Sequence, residues 1–499
     1  MSYEKYKAHL QKIADVQSAS SVLHWDQETY MPAKGADLRA QQLATLAGIA
    51  HELSVTTQLG ELLETLNLDT TLSESEARNV KESLKDYKER KKYSTKFVEL
   101  MSRTVSEALQ AWQKAKKDNN FAYYIPFLEK VVDLKKQECE ILGYKDHPYD
   151  ALLDQYEPKT KTADLELLFK DVKAQLIDFV KEIAQSPQNE DAFMFKHYDA
   201  QKQWDFSLHL LNQMGYDFEA GRQDKSTHPF TIHFNSQDVR VTTRVNENDL
   251  NEIIWSSIHE GGHALYEQGL KIENYGLPAG EAVSLGIHES QSRLWENNVG
   301  RSIIYWKANY PKLQELFPEN LIDVTAEAFY KAMNIVKPSL IRTSADELTY
   351  HFHILIRFEI EKALIEGSIK VPELPEVWNK KYKEYLAVET PSDANGVLQD
   401  IHWSHGSFGY FPTYSLGSFY AAQFFARAKA EIPDLEKNIE NGNMTLLLMW
   451  LRKNIHQFGK LYSAEELCIK ITGEKLNFKY FMDYARNKYA KLYHLQLVS

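Results

Sequence analysis

The sequence lacks most features that divide, export or cross-link a chain. Its 499 residues include only 21 glycines, 15 prolines and two cysteines, and no repeat or Gly/Ser-rich linker interrupts them. Two cysteines exclude a disulfide framework and favour a reducing compartment. The first residues lack the apolar stretch of a secretory signal, and no apolar run approaches the roughly 18 residues that a membrane-spanning helix needs. These absences predict a soluble, cytoplasmic protein without membrane partners.

Positive charge is also scarce. The formal net charge is -12, and the most basic stretch, 88–92, is typical of the solvated face of a helix. Such a chain would repel a nucleic acid, so we expect no nucleic acid partner. With 43% hydrophobic residues the chain can bury a large core. The absence of linkers favours a single domain over residues 1–499, with two lobes around a cleft.

What the sequence does have is helical periodicity. Apolar residues recur at spacings of three and four over most of the chain, and Ser73 with Glu76 forms a predicted capping box at the start of a helical stretch over 73–118. The exception is 231–245, where apolar and polar residues alternate and predict a β-hairpin that turns at 235–238. We therefore predict a mainly α fold with a small hairpin. The other predicted helices are 3–28, 36–66, 122–143, 162–185, 199–214, 322–336, 344–366, 373–386, 415–430 and 444–458.

The motif HEGGH occupies 259–263, inside a predicted helix that Gly269 ends. Residues four apart share a helix face, so His259 and His263 can bind one metal ion, and Glu260, rotated by about 100°, is directed at water on that ion. Neutral imidazoles suit Zn²⁺, and three protein ligands with an open fourth position make such a site catalytic. The motif therefore predicts a metal and a general base.

Two glycines in the middle of this predicted helix are unfavourable for it. Gly261 and Gly262 each destabilise a helix by about 1 kcal/mol relative to alanine. A sequence retains such residues where another backbone or a ligand comes close, so we expect a close approach at this point.

Spacing alone leaves the third metal ligand open. The next predicted helix, 280–299, carries Glu281 and Glu289, and both carboxylates could face the same way. His288 is a further candidate, although a histidine at such a position often contacts a ligand instead of the metal.

Several motifs together resemble one known family. HEGGH followed by GIHESQSRLWEN is similar to the carboxypeptidase Taq family of metal-dependent carboxypeptidases, and the resemblance extends over nearly the whole chain. The supporting segments are LHWDQETYMPAKG near the N-terminus, HPYDALLD at 147–154, HPF at 228–230, DVRVTTR at 238–244, IRTSADE at 341–347 and GVLQDIHW at 396–403.

The resemblance implies a two-lobed helical fold with a deep groove, similar to that of angiotensin-converting enzyme and neurolysin. It implies Glu289 as the third ligand, zinc as the metal with cobalt or manganese as alternatives, and a homodimer. It also implies that Arg342 reads the free C-terminal carboxylate of a peptide, with Asp346 orienting the guanidinium. Without the family, the spacing of these two residues indicates an ion pair on a helix surface.

The predicted activity is a metal-dependent carboxypeptidase in which Glu260 takes a proton from the metal-activated water and returns it to the leaving amine. The oxyanion that forms needs hydrogen-bond donors. Tyr414 is favoured for this role by the resemblance. The candidate donors are Tyr410, Tyr414, His402 and His405.

Small peptides with free C-termini are the expected substrates. An edge strand of the hairpin could pair with the main chain of a peptide, which would suit broad specificity. Arg240 and Arg244 in the hairpin are expected to form structural salt bridges. The two alternatives are an endo-acting oligopeptidase on the same scaffold and a binding protein whose metal is purely structural.

Overall fold

The computed structural model describes residues 2–496 and is mainly helical, as predicted. The first ten helices are α1 (Ser2–Thr29), α2 (Ala36–Ser54), α3 (Thr57–Asn67), α4 (Glu74–Arg90), α5 (Thr95–Lys117), α6 (Phe121–Leu142), α7 (Pro148–Leu153), α8 (Thr162–Ala184), α9 (Ala200–Met214) and α10 (Leu250–Glu267). The others are α11 (Leu285–Arg293), α12 (Ile303–Leu316), α13 (Pro318–Leu321), α14 (Ala326–Ala332), α15 (Tyr350–Glu366), α16 (Leu374–Leu386), α17 (Pro412–Glu431), α18 (Leu435–Glu440), α19 (Thr445–Asn454), α20 (Ala464–Thr472) and α21 (Lys479–Tyr493). Within the described residues, none of these helices is both long and apolar enough to cross a bilayer.

The chain divides into two compact units, each assembled from three separate stretches. The first unit comprises Met1–Lys91, Glu190–Met333 and Tyr420–Asn477, and the second comprises Lys92–Asn189, Asn334–Phe419 and Phe478–Ser499. Each unit has its own aromatic core. In the first, the Trp306 ring lies 4.5 Å from Phe329. In the second, the Phe358 ring lies 5.1 Å from Phe169.

Two long predicted helices are each divided by one capping residue. Thr56 accepts a hydrogen bond from the Leu59 amide and starts α3, so the predicted helix 36–66 is two helices. Ser94 does the same for α5, which divides the predicted stretch 73–118. These hydroxyls satisfy amide groups that a helix start leaves without partners, which is why a new helix begins at each.

The predicted hairpin is present and belongs to a three-stranded sheet. The strands are β1 (Gln223–Lys225), β2 (Thr231–Asn235) and β3 (Asp238–Thr243), in the order β1-β3-β2. β2 and β3 are antiparallel, and the Asn235 side chain accepts a hydrogen bond from the Gln237 amide in the turn. β1, which was not predicted, pairs in parallel with β3 through only three residues. β2 is therefore an edge strand, as the sequence indicated.

Helix α10 lies at the centre of the first unit, where it packs against α9, α11, β2 and β3. The Asp249 side chain caps its start by accepting a hydrogen bond from the Asn251 amide. The predicted helix 280–299 begins later than expected, because Ser284 caps α11 at Leu285. Beyond α11 the chain continues as a π-helix over Leu294–Gly300, a geometry that is frequent at functional sites.

Helix α15 in the second unit also begins later than the predicted 344–366. Its first residue is Tyr350, and Arg342 lies before it in a 3₁₀ turn, Arg342–Ser344. The expected i,i+4 relation of Arg342 and Asp346 on a helix is therefore wrong. Asp346 instead accepts hydrogen bonds from the amides of Lys337, Leu348 and Thr349.

Candidate functional site

Three side chains of the first unit converge on one point. His259 and His263 extend from one face of α10 with their ring centroids 4.9 Å apart. From α11, Glu289 Oε2 lies 3.7 Å from His259 Nε2 and 3.4 Å from His263 Nε2. One ligand atom from each residue lies within 4.8 Å of the other two. Glu281, the alternative third ligand, precedes α11 and is not part of this group.

The donor set and its spacing fit a divalent metal ion. Ligand atoms about 2.0–2.2 Å from a tetrahedral Zn²⁺ lie about 3.3–3.6 Å from one another. The distances from Glu289 Oε2 to the two imidazole nitrogens, 3.7 and 3.4 Å, are close to that value. Burial lowers the pKa of His263 to about 3, with His288 adding to the effect, so this ring is neutral as a ligand must be.

His259 and Glu289 are held from behind by an ion network. Glu296, from the π-helix, places Oε2 2.8 Å from His259 Nδ1. Arg293 donates from Nε to Glu289 Oε1 at 2.6 Å and from Nη1 to Glu296 Oε2 at 3.1 Å. Burial alone would raise the pKa of both glutamates, but Arg293 and His259 outweigh it and hold each pKa well below its usual range. Both carboxylates are therefore ionised.

His263 is held differently, through a second histidine. Its Nδ1 lies 2.5 Å from Nδ1 of His288, so one of these two nitrogens carries the shared proton. His288 Nε2 lies 2.7 Å from Oε1 of the buried Glu267. The structure thus places His288 behind the candidate ligand His263, where it fixes the orientation of the His263 ring.

The carboxylate of Glu260 is fixed by a hydroxyl of β2. Thr231 Oγ1 lies 2.7 Å from Glu260 Oε2 and 3.0 Å from the Glu260 carbonyl oxygen. Burial raises the pKa of Glu260, and the opposing effects of His259 and Thr231 do not reverse this. A raised pKa suits a general base. Thr231 was not predicted as a site residue. The only signal was its place directly after the HPF segment.

The hairpin arginines have structural partners. Arg240 donates to both carboxylate oxygens of Asp238, each at 2.9 Å, and Arg244 lies 3.2 Å from Glu252. Both are the salt bridges that the sequence indicated. Along β2, Ser18 of α1 donates to the Phe234 carbonyl at 2.9 Å, so α1 occupies part of this edge.

In the second unit, Arg342 is buried and pairs with Asp400, not with Asp346. Its Nε and Nη2 each lie 3.0 Å from Asp400 Oδ1, and Nη1 donates to the Tyr350 hydroxyl at 3.0 Å. A guanidinium has five N–H donors. These contacts use three of them, which leaves one on Nη1 and one on Nη2 within the described part of the chain.

A second arginine, Arg357, shares the same carboxylate and has no donor left. Nε and Nη2 lie 2.7 and 2.6 Å from Asp400 Oδ2, and Nη2 also donates to Gln399 Oε1 at 2.9 Å. Nη1 donates to the His353 carbonyl and to the Tyr382 hydroxyl. All five donors are thus occupied. Arg357 was not predicted as a site residue, although an arginine inside the apolar stretch HFHILIRFEI is a signal.

Three of the four predicted oxyanion donors form one cluster beside Arg342. The Tyr414 ring centroid lies 5.1 Å from Arg342 Cζ, and the Tyr414 hydroxyl lies 3.2 Å from His402 Nε2. The Tyr410 ring lies beside that of Tyr414, at 5.2 Å and tilted by 59°. Burial lowers the pKa of His402 to about 3 despite the opposing charge of Asp400, so the ring is neutral. His405 is exposed, and no hydrogen bond joins its ring to this group in the described residues.

Comparisons with known proteins agree on one family. The model of the family described as carboxypeptidase Taq (M32) metallopeptidase matches residues 5–489. The chain is 40% identical over 506 residues to thermostable carboxypeptidase 1 of Thermus thermophilus and 38% identical over 497 residues to carboxypeptidase 1 of Bacillus subtilis, in each case over 99% of both chains. The crystal structure of the M32 carboxypeptidase of Deinococcus radiodurans superposes with a TM-score of 0.97 at 36% identity, over 99% of both chains.

Proposed function

The chain belongs to the carboxypeptidase Taq (M32) family of metallopeptidases and is therefore a peptide hydrolase, and from this premise we propose that it removes residues one at a time from the free C-terminus of peptides. The family membership implies a divalent metal ion and peptide substrates. We also propose that the enzyme has broad specificity and that individual residues have the roles described below. We further propose that residues 1–499 form one catalytic domain.

The observation that carries the exopeptidase proposal is the positive excess around Arg342. Two guanidiniums share the single carboxylate of Asp400, and the neutral His402 does not change that balance. A substrate carboxylate would supply the missing negative charge. Arg342 keeps one donor on each terminal nitrogen, which suits the two parallel hydrogen bonds that a guanidinium makes to a carboxylate.

His259, His263 and Glu289 would hold the metal ion, for which zinc fits the donor set best and cobalt or manganese are alternatives. When bound, the ion would supply Lewis-acid polarisation of the peptide carbonyl and of the attacking water. The neutral state of His263 and the ionised state of Glu289 support this role, because a ligand must present a lone pair.

Glu260 acts as the general base. Thr231 holds its Oε2, so Oε1 is the oxygen that takes the proton from water and later returns it to the leaving amine. Because burial raises the pKa of Glu260, the carboxylate is a stronger base than an exposed glutamate. A structural metal site needs no such base beside its ligands, which disfavours a purely structural metal.

Tyr414, Tyr410 and His402 bind the substrate beside Arg342. The Tyr414 hydroxyl, which faces His402, is the favoured donor to the oxyanion. The part of the edge strand β2 that α1 leaves open pairs with the main chain of the peptide. The family resemblance further supports a homodimer, and the two cysteines support a cytoplasmic location. Light scattering of the purified protein would test the dimer, because a mass of one chain would contradict it.

The test of the function is product identification on a short peptide ladder, combined with metal analysis of the purified protein. A free-acid peptide should lose one C-terminal residue at a time, and activity should disappear when the metal is removed and return when zinc is added. An endo-acting oligopeptidase would instead release internal fragments early in the reaction, and that result would overturn the proposal.

A further inference from the structure

The two adjacent glycines of the HEGGH motif have different neighbours. A Cβ atom at Gly262 would lie 2.7 Å from Ser292 Cα, 2.8 Å from the Gln291 carbonyl oxygen and 3.1 Å from the Ser292 amide nitrogen. All three atoms belong to the backbone of α11. The close approach that the sequence predicted is therefore made by another backbone, and at Gly262 there is no room for a side chain.

Gly261 faces flexible side chains instead. A Cβ atom there would lie 2.7 Å from Leu211 Cδ2 and 3.1 Å from Met214 Cε, both at the ends of side chains of α9. Such ends can rotate away, whereas the backbone of a helix moves only as a unit. A methyl group at Gly261 is thus accommodated locally, and a methyl group at Gly262 is not.

The contact at Gly262 lies within the group of proposed metal ligands. His263 is the next residue on α10, and Glu289 lies on α11 only two residues before Gln291. Real Cβ atoms essentially never lie within 3.0 Å of another atom, so a Cβ at 2.7 Å from Ser292 Cα requires the two backbones to separate by at least 3.0 − 2.7 = 0.3 Å. Metal–ligand distances tolerate deviations of only about 0.2 Å. A helix shift of that size moves Glu289 out of range.

We propose that Gly262 is a positioning residue that sets the distance between the two histidine ligands on α10 and Glu289 on α11. It allows the two backbones to touch, and this contact brings Glu289 Oε2 within 3.4 Å of His263 Nε2. The inference rests on the proposed ligand set and concerns how the fold holds that set together. Gly261 has no corresponding role, although it lies in the same motif.

The test compares the variants Gly262→Ala and Gly261→Ala, which add the same methyl group to the same helix. The zinc affinity of each is measured by competition with a coloured chelator. Gly262→Ala should weaken zinc binding by about 10- to 100-fold, the scale of changes around metal ligands. Gly261→Ala should leave the zinc affinity unchanged. In cobalt-loaded protein, the visible absorption bands should shift for Gly262→Ala only.

A third variant, His263→Ala, separates failure of this inference from failure of the proposed ligand set. If His263→Ala binds zinc with the same affinity as the chain without substitutions, the proposed ligand set is wrong. If His263→Ala loses zinc while Gly262→Ala and Gly261→Ala bind it equally, the positioning role is wrong. A loss of helical circular dichroism in Gly262→Ala alone would also overturn it, because α11 is expected to shift and stay folded.

The zinc-dependent rise in melting temperature gives a second measure of affinity. Each rise in melting temperature is measured relative to the melting temperature of the same variant without metal. A change in the stability of the metal-free variant is therefore not mistaken for a change in zinc binding. The rise should be smaller for Gly262→Ala than for Gly261→Ala. Equal rises would contradict the inference.

Discussion

Each unit contains a buried cluster of charged side chains, and the two clusters are unbalanced in opposite directions. In the first unit, Glu289 and Glu296 pair with the guanidiniums of Arg293 and Arg301, and the nearby carboxylate of Glu260 adds a third negative charge that neither guanidinium pairs with. In the second unit, two guanidiniums share one carboxylate. The first cluster lacks a cation and the second lacks an anion.

The difference in charge balance supports the ligand proposed for each cluster. A buried charge without a partner is costly, so an imbalance persists where a ligand completes it. The first imbalance supports the proposal that a divalent metal ion binds there, and the second supports the proposal that a substrate carboxylate binds beside Arg342. Within the second cluster, all donors of Arg357 are occupied and those of Arg342 are not, and on this difference we propose a structural role for Arg357 and a binding role for Arg342.

The largest expected effect separates the base from the metal ligands in the first cluster. Glu260→Gln should lower kcat by about 10²- to 10⁴-fold while zinc stays bound, because only proton transfer is lost. Glu289→Gln, the matched change on a ligand, should lose zinc as well as activity. Rates on an N-blocked dipeptide and zinc content per chain measure both. Hydrolysis that survives in Glu260→Gln would contradict the assigned base.

A comparable effect should distinguish the two arginines of the second cluster. Arg342→Ala should lower kcat/KM on a free-acid peptide by about 30-fold or more, the effect of leaving a buried charge unpaired. Arg357→Ala should lower the free energy of unfolding by about 3–5 kcal/mol, and by more than Arg342→Ala does, because Arg357 is fully buried and all five of its donors bond within the chain. Thermal melting measures the loss of stability in each variant, and initial rates measure the loss of kcat/KM. Equal losses of stability in both variants would remove the distinction between them.

A smaller effect is expected from the residue behind His259. Glu296→Gln keeps the shape of the side chain but removes the charge that faces His259 Nδ1 at 2.8 Å. Zinc affinity should fall by about 10- to 100-fold, and added zinc should restore activity. Dialysis against graded zinc concentrations measures the zinc affinity. Loss of activity at saturating zinc would show that Glu296 has a different role.

The smallest expected effect concerns the hydroxyl that orients Arg342. Tyr350→Phe removes one hydrogen bond to Nη1 and leaves the ring in place. A hydrogen bond to a charged group contributes about 1.5–3 kcal/mol, so KM for a free-acid peptide should rise by about tenfold at nearly constant kcat. A fall in kcat with unchanged KM would mean that Tyr350 acts on the reaction and not on binding.

The sequence predicted elements whose signal is local. The capping box of Ser73 and Glu76, the hairpin turn at Asn235 and the i,i+4 histidines all depend on neighbours within a few residues, and each is present. The division between α2 and α3 was not predicted, because apolar periodicity continues across the single capping residue Thr56.

Contacts between distant residues could not be predicted from spacing. Arg342 meets Asp400 across 58 residues, and Thr231 meets Glu260 across 29. The choice between Glu281 and Glu289 depended on where α11 begins, which the cap at Ser284 determines. The family resemblance supplied Glu289, and it also suggested Asp346 as the partner of Arg342, which is wrong.

The most direct measurement compares hydrolysis of one peptide as its free acid and as its C-terminal amide, by the unchanged chain and by Arg342→Ala. A carboxypeptidase that reads the terminal carboxylate through Arg342 should cleave the acid at least about 30-fold faster than the amide. Arg342→Ala should lose most of that preference. Equal rates on the acid and the amide with the unchanged chain would contradict the exopeptidase activity proposed here.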